Sequence, residues 1–283
     1  MVGIAWLGHD TEGTLMKTVT SRDGTTIAYD KTGEGPVLIF VDGATATRAA
    51  DVSLASVLAP HFSVIAYDRR GRGDSGDTAP YAVEREIEDL EALIAAVGGS
   101  AFVFGHSSGA VLALRAAASR LPITRLAVYE PPFITDDSRP PLPDDYVEHL
   151  DELVAAGRRG DAFAYFLTTA VGLPEEIVAQ MPADPGIENV AHTIAYDGRV
   201  MGDTMSGKPL APEPWRSVTV PALVLDGGAS PDFMRAGARQ LADLLPDARR
   251  ETLAGQDHGP ADDVLAPALI EFFEEWGRNG LLP

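Results

Sequence analysis

Apolar residues in this chain fall into short unbroken runs, separated by longer stretches in which they recur every three or four positions. Val37-Leu38-Ile39-Phe40-Val41 is the clearest run. Met16 to Thr20, Thr26 to Asp30, Val64 to Tyr67, Ala101 to Phe104, Arg125 to Val128, Ala222 to Leu225 and Arg250 to Leu253 read as further strands. Helical spacing covers Ala50 to Leu58, Val83 to Val97, Ser108 to Ala118, Asp232 to Leu245 and Val264 to Trp276. Strands apolar at every position are covered on both faces, so their alternation with amphipathic helices predicts an α/β fold with a mostly parallel sheet between two helical layers. The two leading strands flank Arg22-Asp23-Gly24, a turn sequence, and predict a hairpin.

The alternation stops after Val128 and resumes near Val218. The interval opens with the Pro-rich, acidic stretch Pro131 to Asp145 and continues with helical spacing over Tyr146 to Ala156 and Asp161 to Val171. Breaks follow at Pro174, at Pro182-Ala183-Asp184-Pro185-Gly186 and over Lys208 to Pro214. An insertion of about 85 residues is too long for an ordinary loop. It predicts a helical cap over 131–214, inserted after the sixth strand, with 1–130 and 215–283 forming the core. Ligands of open α/β sheets bind at the carboxyl ends of the strands, so the cap should roof a pocket there.

Composition narrows the possible chemistry. A chain of 283 residues with 45% hydrophobic content can bury a large core. The absence of cysteine excludes disulfides, thiolate metal sites and cysteine nucleophiles. The formal net charge of -20 argues against nucleic acid and anionic membranes as partners. The opening MVGIAWLG lacks a basic leader, and no run approaches the length of a membrane helix, so a cytoplasmic protein acting on a small molecule is expected. The one basic cluster, Arg69-Arg70-Gly71-Arg72, lies beside Asp68 and Asp74 and reads as a local ion-pair network.

Gly105-His106-Ser107-Ser108-Gly109 sits between a strand run and an Ala/Leu-rich helical run. In that G-x-S-x-G setting the strand-to-helix turn is so tight that its flanking residues must be small, and the serine hydroxyl is lifted to the head of the helix. Ser107 is therefore the candidate nucleophile. Gly71-Arg72-Gly73-Asp74-Ser75-Gly76 satisfies G-x-G-x-x-G, but Thr78-Ala79-Pro80 intervenes before any helix, so it reads as a turn rather than a dinucleotide site. The histidines form no metal-ligand pattern, and neither cofactor nor metal is expected. Phe163, Tyr165, Phe166, Met201 and Met205 have helical spacing and read first as packing.

Gly105 to Gly109, the loop Asp68-Arg69-Arg70-Gly71-Arg72-Gly73-Asp74-Ser75 and the segment Gly255-Gln256-Asp257-His258-Gly259 together resemble the α/β-hydrolase superfamily over essentially the whole chain. The resemblance implies an eight-stranded sheet and catalytic residues in the chain order serine, acid, histidine. That order leaves His149, His192 and His258 as candidate bases. The first two fall in the cap, whereas His258 follows the last strand on a glycine-bounded loop and is preferred. His106, inside the turn, packs or lines the pocket.

For the acid, many relatives use a residue after the seventh strand, where this chain has Ser230 between Asp226 and Asp232. Glu130, at the end of the sixth strand, is favoured instead, as in zearalenone-type lactone hydrolases; Asp232 and Asp226 remain alternatives. The oxyanion hole would combine the backbone N–H of Ser108 with one from Gly43 or Ala44. Asp42 stands where many relatives carry histidine, and either contacts substrate hydroxyls or turns away to brace the loop. A serine esterase or lactonase acting on a moderately hydrophobic ester is the expected activity. Carbon-carbon bond hydrolysis, perhydrolysis, cofactor-free oxygen chemistry and a catalytically silent receptor are the alternatives.

Overall fold

The computed structural model describes residues 16–182 and 184–278; the opening MVGIAWLG and Ala183 lie outside the described residues. Eight strands form one sheet: β1 (Lys17–Thr20), β2 (Thr26–Thr32), β3 (Val37–Val41), β4 (Ser63–Tyr67), β5 (Ala101–His106), β6 (Ile123–Tyr129), β7 (Ala222–Gly227) and β8 (Ala248–Leu253). Their order is β1-β2-β4-β3-β5-β6-β7-β8. β1 and β2 form the expected hairpin, closed by Gly24 at φ 89°, and β2 joins β4 antiparallel. Every later pairing is parallel.

Parallel neighbours need long crossovers, and helices supply them. Four of them are α1 (Val52–Leu58), α2 (Val83–Val97), α3 (Ser108–Ala118) and α9 (Asp232–Leu244), and α10 (Asp262–Arg278) follows the last strand and packs on the same sheet. The period of two in each strand divides the core between the two faces. In β3, Leu38 and Phe40 join Phe102, Phe104, Leu223 and Leu225 beneath α1 and α10. Ile39 and Val41 join Val103, Val128 and Val224 beneath α2, α3 and α9. Phe102 stacks on Phe273 of α10 with ring centroids 5.0 Å apart, and Phe62 meets the same ring edge-on at 6.0 Å.

Between β6 and β7 lie α4 (Tyr146–Ala155), α5 (Arg159–Tyr165), α6 (Glu175–Val178), α7 (Pro185–Val190) and α8 (Ile194–Met201), with Phe166–Val171 wound as a π-helix. Tyr146, Leu150, Leu153, Ala162, Ala191, Ile194 and Ala195 give this segment its own apolar cluster, with Phe163, Tyr165 and Phe166 packed on its rim. Met201 and Met205 are buried in the main core. No helix among the described residues is long and apolar enough to cross a membrane.

The arginine loop is less local than its sequence suggests. Arg69, Arg70 and Arg72 are each at most 1% exposed, and their partners are distant in sequence. Arg70 reaches Asp89 and Asp23, and Arg69 reaches Glu86. Both Arg69 and Arg72 reach Asp197 of α8. Asp68 and Asp74 bind Arg48 instead. Planar guanidinium groups with fixed forks can satisfy several such acceptors at once.

Truncating Phe273 removes the ring shared by Phe102 and Phe62 at a site that is 1% exposed. Phe273→Ala should cost about 3–5 kcal/mol in urea unfolding. A loss below about 1 kcal/mol would mean that this helix contributes little to the core.

Candidate active site

Ser107 follows β5 at φ 56° and ψ -127°, heading α3. Its N–H donates to the Tyr129 carbonyl at 3.0 Å, which continues the β5–β6 ladder past the strand end. Room for this turn exists only because its neighbours lack side chains. A Cβ on Gly105 would lie 2.6 Å from the Ala110 Cα, and one on Gly109 2.0 Å from the Val41 oxygen. The loop after β3 thus rests directly on the first turn of α3. A Cβ on Gly43 would come within 2.8 Å of the Ser107 Cβ and 3.3 Å of its Oγ.

Glu130 follows β6 and is fully buried, also with positive φ, at 45°. Its N–H donates to the Leu225 oxygen at 3.0 Å. Its Oε2 lies 2.8 Å from His258 Nδ1, and its Oε1 accepts from the Gly227 N–H at 2.8 Å. Burial alone would raise this carboxyl, but His258, the Ser230 hydroxyl and the Gly227 N–H outweigh it and hold Glu130 below the usual range. An ionised Glu130 can only accept, so the His258 proton sits on Nδ1 and Nε2 is left with its lone pair.

The other two acids considered from sequence are engaged elsewhere. Asp226 is fully buried and accepts from Arg250 Nε at 2.7 Å and Thr252 Oγ1 at 2.8 Å. Asp232 is an exposed residue in the first turn of α9, paired with Arg235. Of the other candidate histidines, His149 is half-buried and lies 3.8 Å from Glu152, and His192 lies 3.3 Å from Asp77.

His106 packs against His258 with ring centroids 4.8 Å apart and planes tilted by 42°, and its Nε2 lies 2.9 Å from the His258 carbonyl oxygen. Burial, then the neighbouring His258, pushes His106 down to about 3. A neutral ring with Nε2 protonated donates that hydrogen bond. Tyr129 donates similarly to the Asp257 carbonyl. Two side chains from β5 and β6 therefore hold successive carbonyls of the loop that carries His258.

Asp42, in the loop after β3, interacts with Asp51. Its carboxyl meets that of Asp51, and the Oδ2 atoms of both are buried without another hydrogen-bond donor. Burial raises Asp51 well above the ordinary carboxyl range, and the charge of Asp42 adds to it. Asp42 is also raised by burial, but less, because Asp51, Arg72 and Arg69 favour its charged form. One proton shared by the pair, residing on Asp51, satisfies both groups. Among the described residues, no three or more His, Cys, Asp or Glu are grouped to hold a metal ion.

Several parts of the site have no signature in the sequence. Asp197, from α8, accepts from Ser108 Oγ at 2.7 Å as well as from Arg69 and Arg72 at 2.6 Å each. Asp51, Thr193 and the Gly227 N–H were equally unforeseen. The available signal was the density of arginines in one tight loop, which required counter-charges that its own neighbours could not all supply.

A family model described as the alpha/beta hydrolase family matches residues 38–269. An alpha/beta hydrolase from Sphaerobacter thermophilus has a similar structure, with a TM-score of 0.84 at 58% identity, over 91% of this chain and 100% of that one. The sequence is 27% identical over 249 residues to a 2-(acetamidomethylene)succinate hydrolase of Mesorhizobium japonicum, covering 82% of this chain and 85% of that protein. It is 33% identical over 143 residues to an N-formylmaleamate deformylase of Pseudomonas putida, covering 48% of this chain and 53% of the other.

The Asp42–Asp51 pair makes stability depend on pH. A carboxyl raised in the folded state keeps its proton there at pH values where the unfolded chain has released it, so stability is full below the unfolded value of about 4 and falls as pH rises. Asp51→Asn replaces the shared proton with an amide N–H. Its Tm relative to wild type should increase between pH 5 and pH 8, and a difference that stays constant would rule out the shared proton.

Proposed function

The chain belongs to the alpha/beta hydrolase family, and on that premise we propose that it is a serine hydrolase working through a covalent acyl-enzyme on Ser107. The 2.8 Å contact between His258 Nδ1 and Glu130 Oε2 carries this reading, because it leaves Nε2 free to act as a base at the sheet edge where Ser107 is raised. In the proposed sequence, His258 takes the hydroxyl proton as Ser107 attacks a carbonyl carbon. The imidazolium that forms is stabilised by Glu130. The N–H of Ser108 and that of Gly43 or Ala44 receive the negative oxygen. His258 then gives its proton to the leaving group, and water repeats the cycle to release the acid and restore Ser107.

The segment 131–214 acts as a cap in this reading, enclosing a small-molecule substrate over the strand ends. A moderately hydrophobic ester or lactone suits such a site. The names of the two curated relatives favour a second substrate class, small carboxylate-bearing N-acyl compounds, which the same acyl-transfer steps would cleave at the C–N bond. A panel of aryl esters, lactones and N-formyl or N-acetyl carboxylates, read in single-turnover mode, separates the two. Absence of any acyl-enzyme burst across the panel would favour the ligand-binding alternative.

A fluorophosphonate should label Ser107 stoichiometrically, and Ser107→Ala should lose both labelling and turnover while keeping its circular dichroism spectrum. Peptide mapping that places the label on another serine would overturn the assignment.

Glu130→Gln should lower kcat by up to about 10⁴-fold, because the amide can turn the imidazole to the wrong tautomer and cannot stabilise its charged form. Asp232→Asn, at an exposed helix start, should leave kcat within about twofold and cost at most about 1 kcal/mol of stability. The reverse ranking in steady-state kinetics would move the acid to the loop after β7.

A further inference from the structure

Asp197 belongs to α8, in the proposed cap, yet it is 4% exposed and, among the described residues, its carboxylate bonds to groups of the sheet domain. Ser108 Oγ and Arg69 Nη1 donate to its Oδ1, and Arg72 Nη2 donates to its Oδ2. Each of these partners bears on a backbone donor proposed for the oxyanion hole. Ser108 carries one of those N–H groups itself. Arg69 Nη1 also donates to the Asp42 carbonyl at 3.2 Å, and Arg72 Nη1 to the Gly43 carbonyl at 2.5 Å. In a trans peptide the carbonyl and the following N–H point in opposite directions. Holding the Asp42 and Gly43 oxygens against the guanidinium groups therefore turns the N–H groups of Gly43 and Ala44 away from them.

We infer that Asp197 is a positioning residue for the oxyanion hole: one carboxylate on α8 fixes, through Ser108, Arg69 and Arg72, the backbone donors on both sides of Ser107. The inference rests on the serine-hydrolase reading above. The two arginines depend on Asp197 unequally. Arg69 keeps a bidentate bond to Glu86, whereas the other acceptors of Arg72 are Thr193 Oγ1 and the carbonyls of Gly43 and Ala46. Loss of the Asp197 charge would leave the Arg72 guanidinium buried with no carboxylate, and the Gly43 peptide would follow its displacement. Seating of α8 and alignment of the oxyanion donors are thus one event.

The test compares wild type, Asp197→Asn and Ser108→Ala with p-nitrophenyl acetate as substrate and with two ligands. Trifluoroacetophenone forms a tetrahedral adduct with a serine, and acetophenone is its planar control. Asp197→Asn should lower kcat about 10²-fold, with KM within about twofold, and should weaken trifluoroacetophenone inhibition by the same factor as kcat. Acetophenone binding should be unchanged. Ser108→Ala removes one hydrogen bond and no charge, and should lose about tenfold in both kcat and trifluoroacetophenone affinity. Unchanged kcat in Asp197→Asn, or a loss confined to KM, overturns the proposal; should that variant not fold, wild-type kcat and inhibitor affinity in Ser108→Ala overturn it. Wild-type turnover that survives Ser107→Ala would overturn the serine-hydrolase reading itself, a result distinguishable from failure of the Asp197 arm alone.

Discussion

The parallel pairing of β3, β5, β6, β7 and β8 brings their carboxyl ends to one edge of the sheet, and the site is built from the residues that immediately follow those ends. Ser107 and Glu130 are each the first residue past a strand, and each N–H still bonds to a carbonyl of the neighbouring strand. Gly43 follows β3, and His258 follows β8 on a loop held by His106 and Tyr129. Both Ser107 and Glu130 have positive φ, as does Thr45 in the loop after β3. Such backbone costs about 1–3 kcal/mol per residue and persists only where its surroundings over-determine it. The ladder hydrogen bonds and the close packing around Gly105, Gly109 and Gly227 do so here.

Buried charge is the second organising element, in a chain whose net charge is -20. Arg69 and Arg72 lie in the interior with Glu86 and Asp197, and Asp197 is held in its charged form by those arginines and by Ser108 despite its burial. Buried ion pairs add little net stability, because desolvation offsets much of the attraction, but breaking one side leaves an uncompensated charge. Their consequence here is geometric. Asp197 places α8 where two guanidinium groups share one carboxylate.

The sheet was legible in the sequence because its signals were local. Val37–Val41, Val83–Val97 and Ser108–Ala118 have the bounds that their periodicity predicts, and the other strands differ mainly by a few residues at their ends. Ser107 is marked by the strand before it and the helix after it, and Glu130 by the strand end before it together with the family resemblance. The segment between β6 and β7 was harder to read. Its short helices α6, α7 and α8 are bounded by Pro174, Pro185 and Gly202, and no apolar period runs long enough to define them. The arginine loop was read as local because sequence proximity favoured Asp68 and Asp74; burial instead selected acceptors on α2 and α8. For Asp42 the sequence supports two roles, and it is the fold that brings Asp51 to it.

The account turns on whether an oxygen attached to the Ser107 adduct lies between the N–H groups of Ser108 and the Gly43-Ala44 loop. A crystal structure of the phosphonylated protein measures this directly. The expected structure has a bond from phosphorus to Ser107 Oγ, with one phosphoryl oxygen at about 2.7–3.1 Å from the Ser108 nitrogen and from that of Gly43 or Ala44. A phosphonyl group on Ser107 whose oxygens meet neither donor, or one attached to a different side chain, would contradict it.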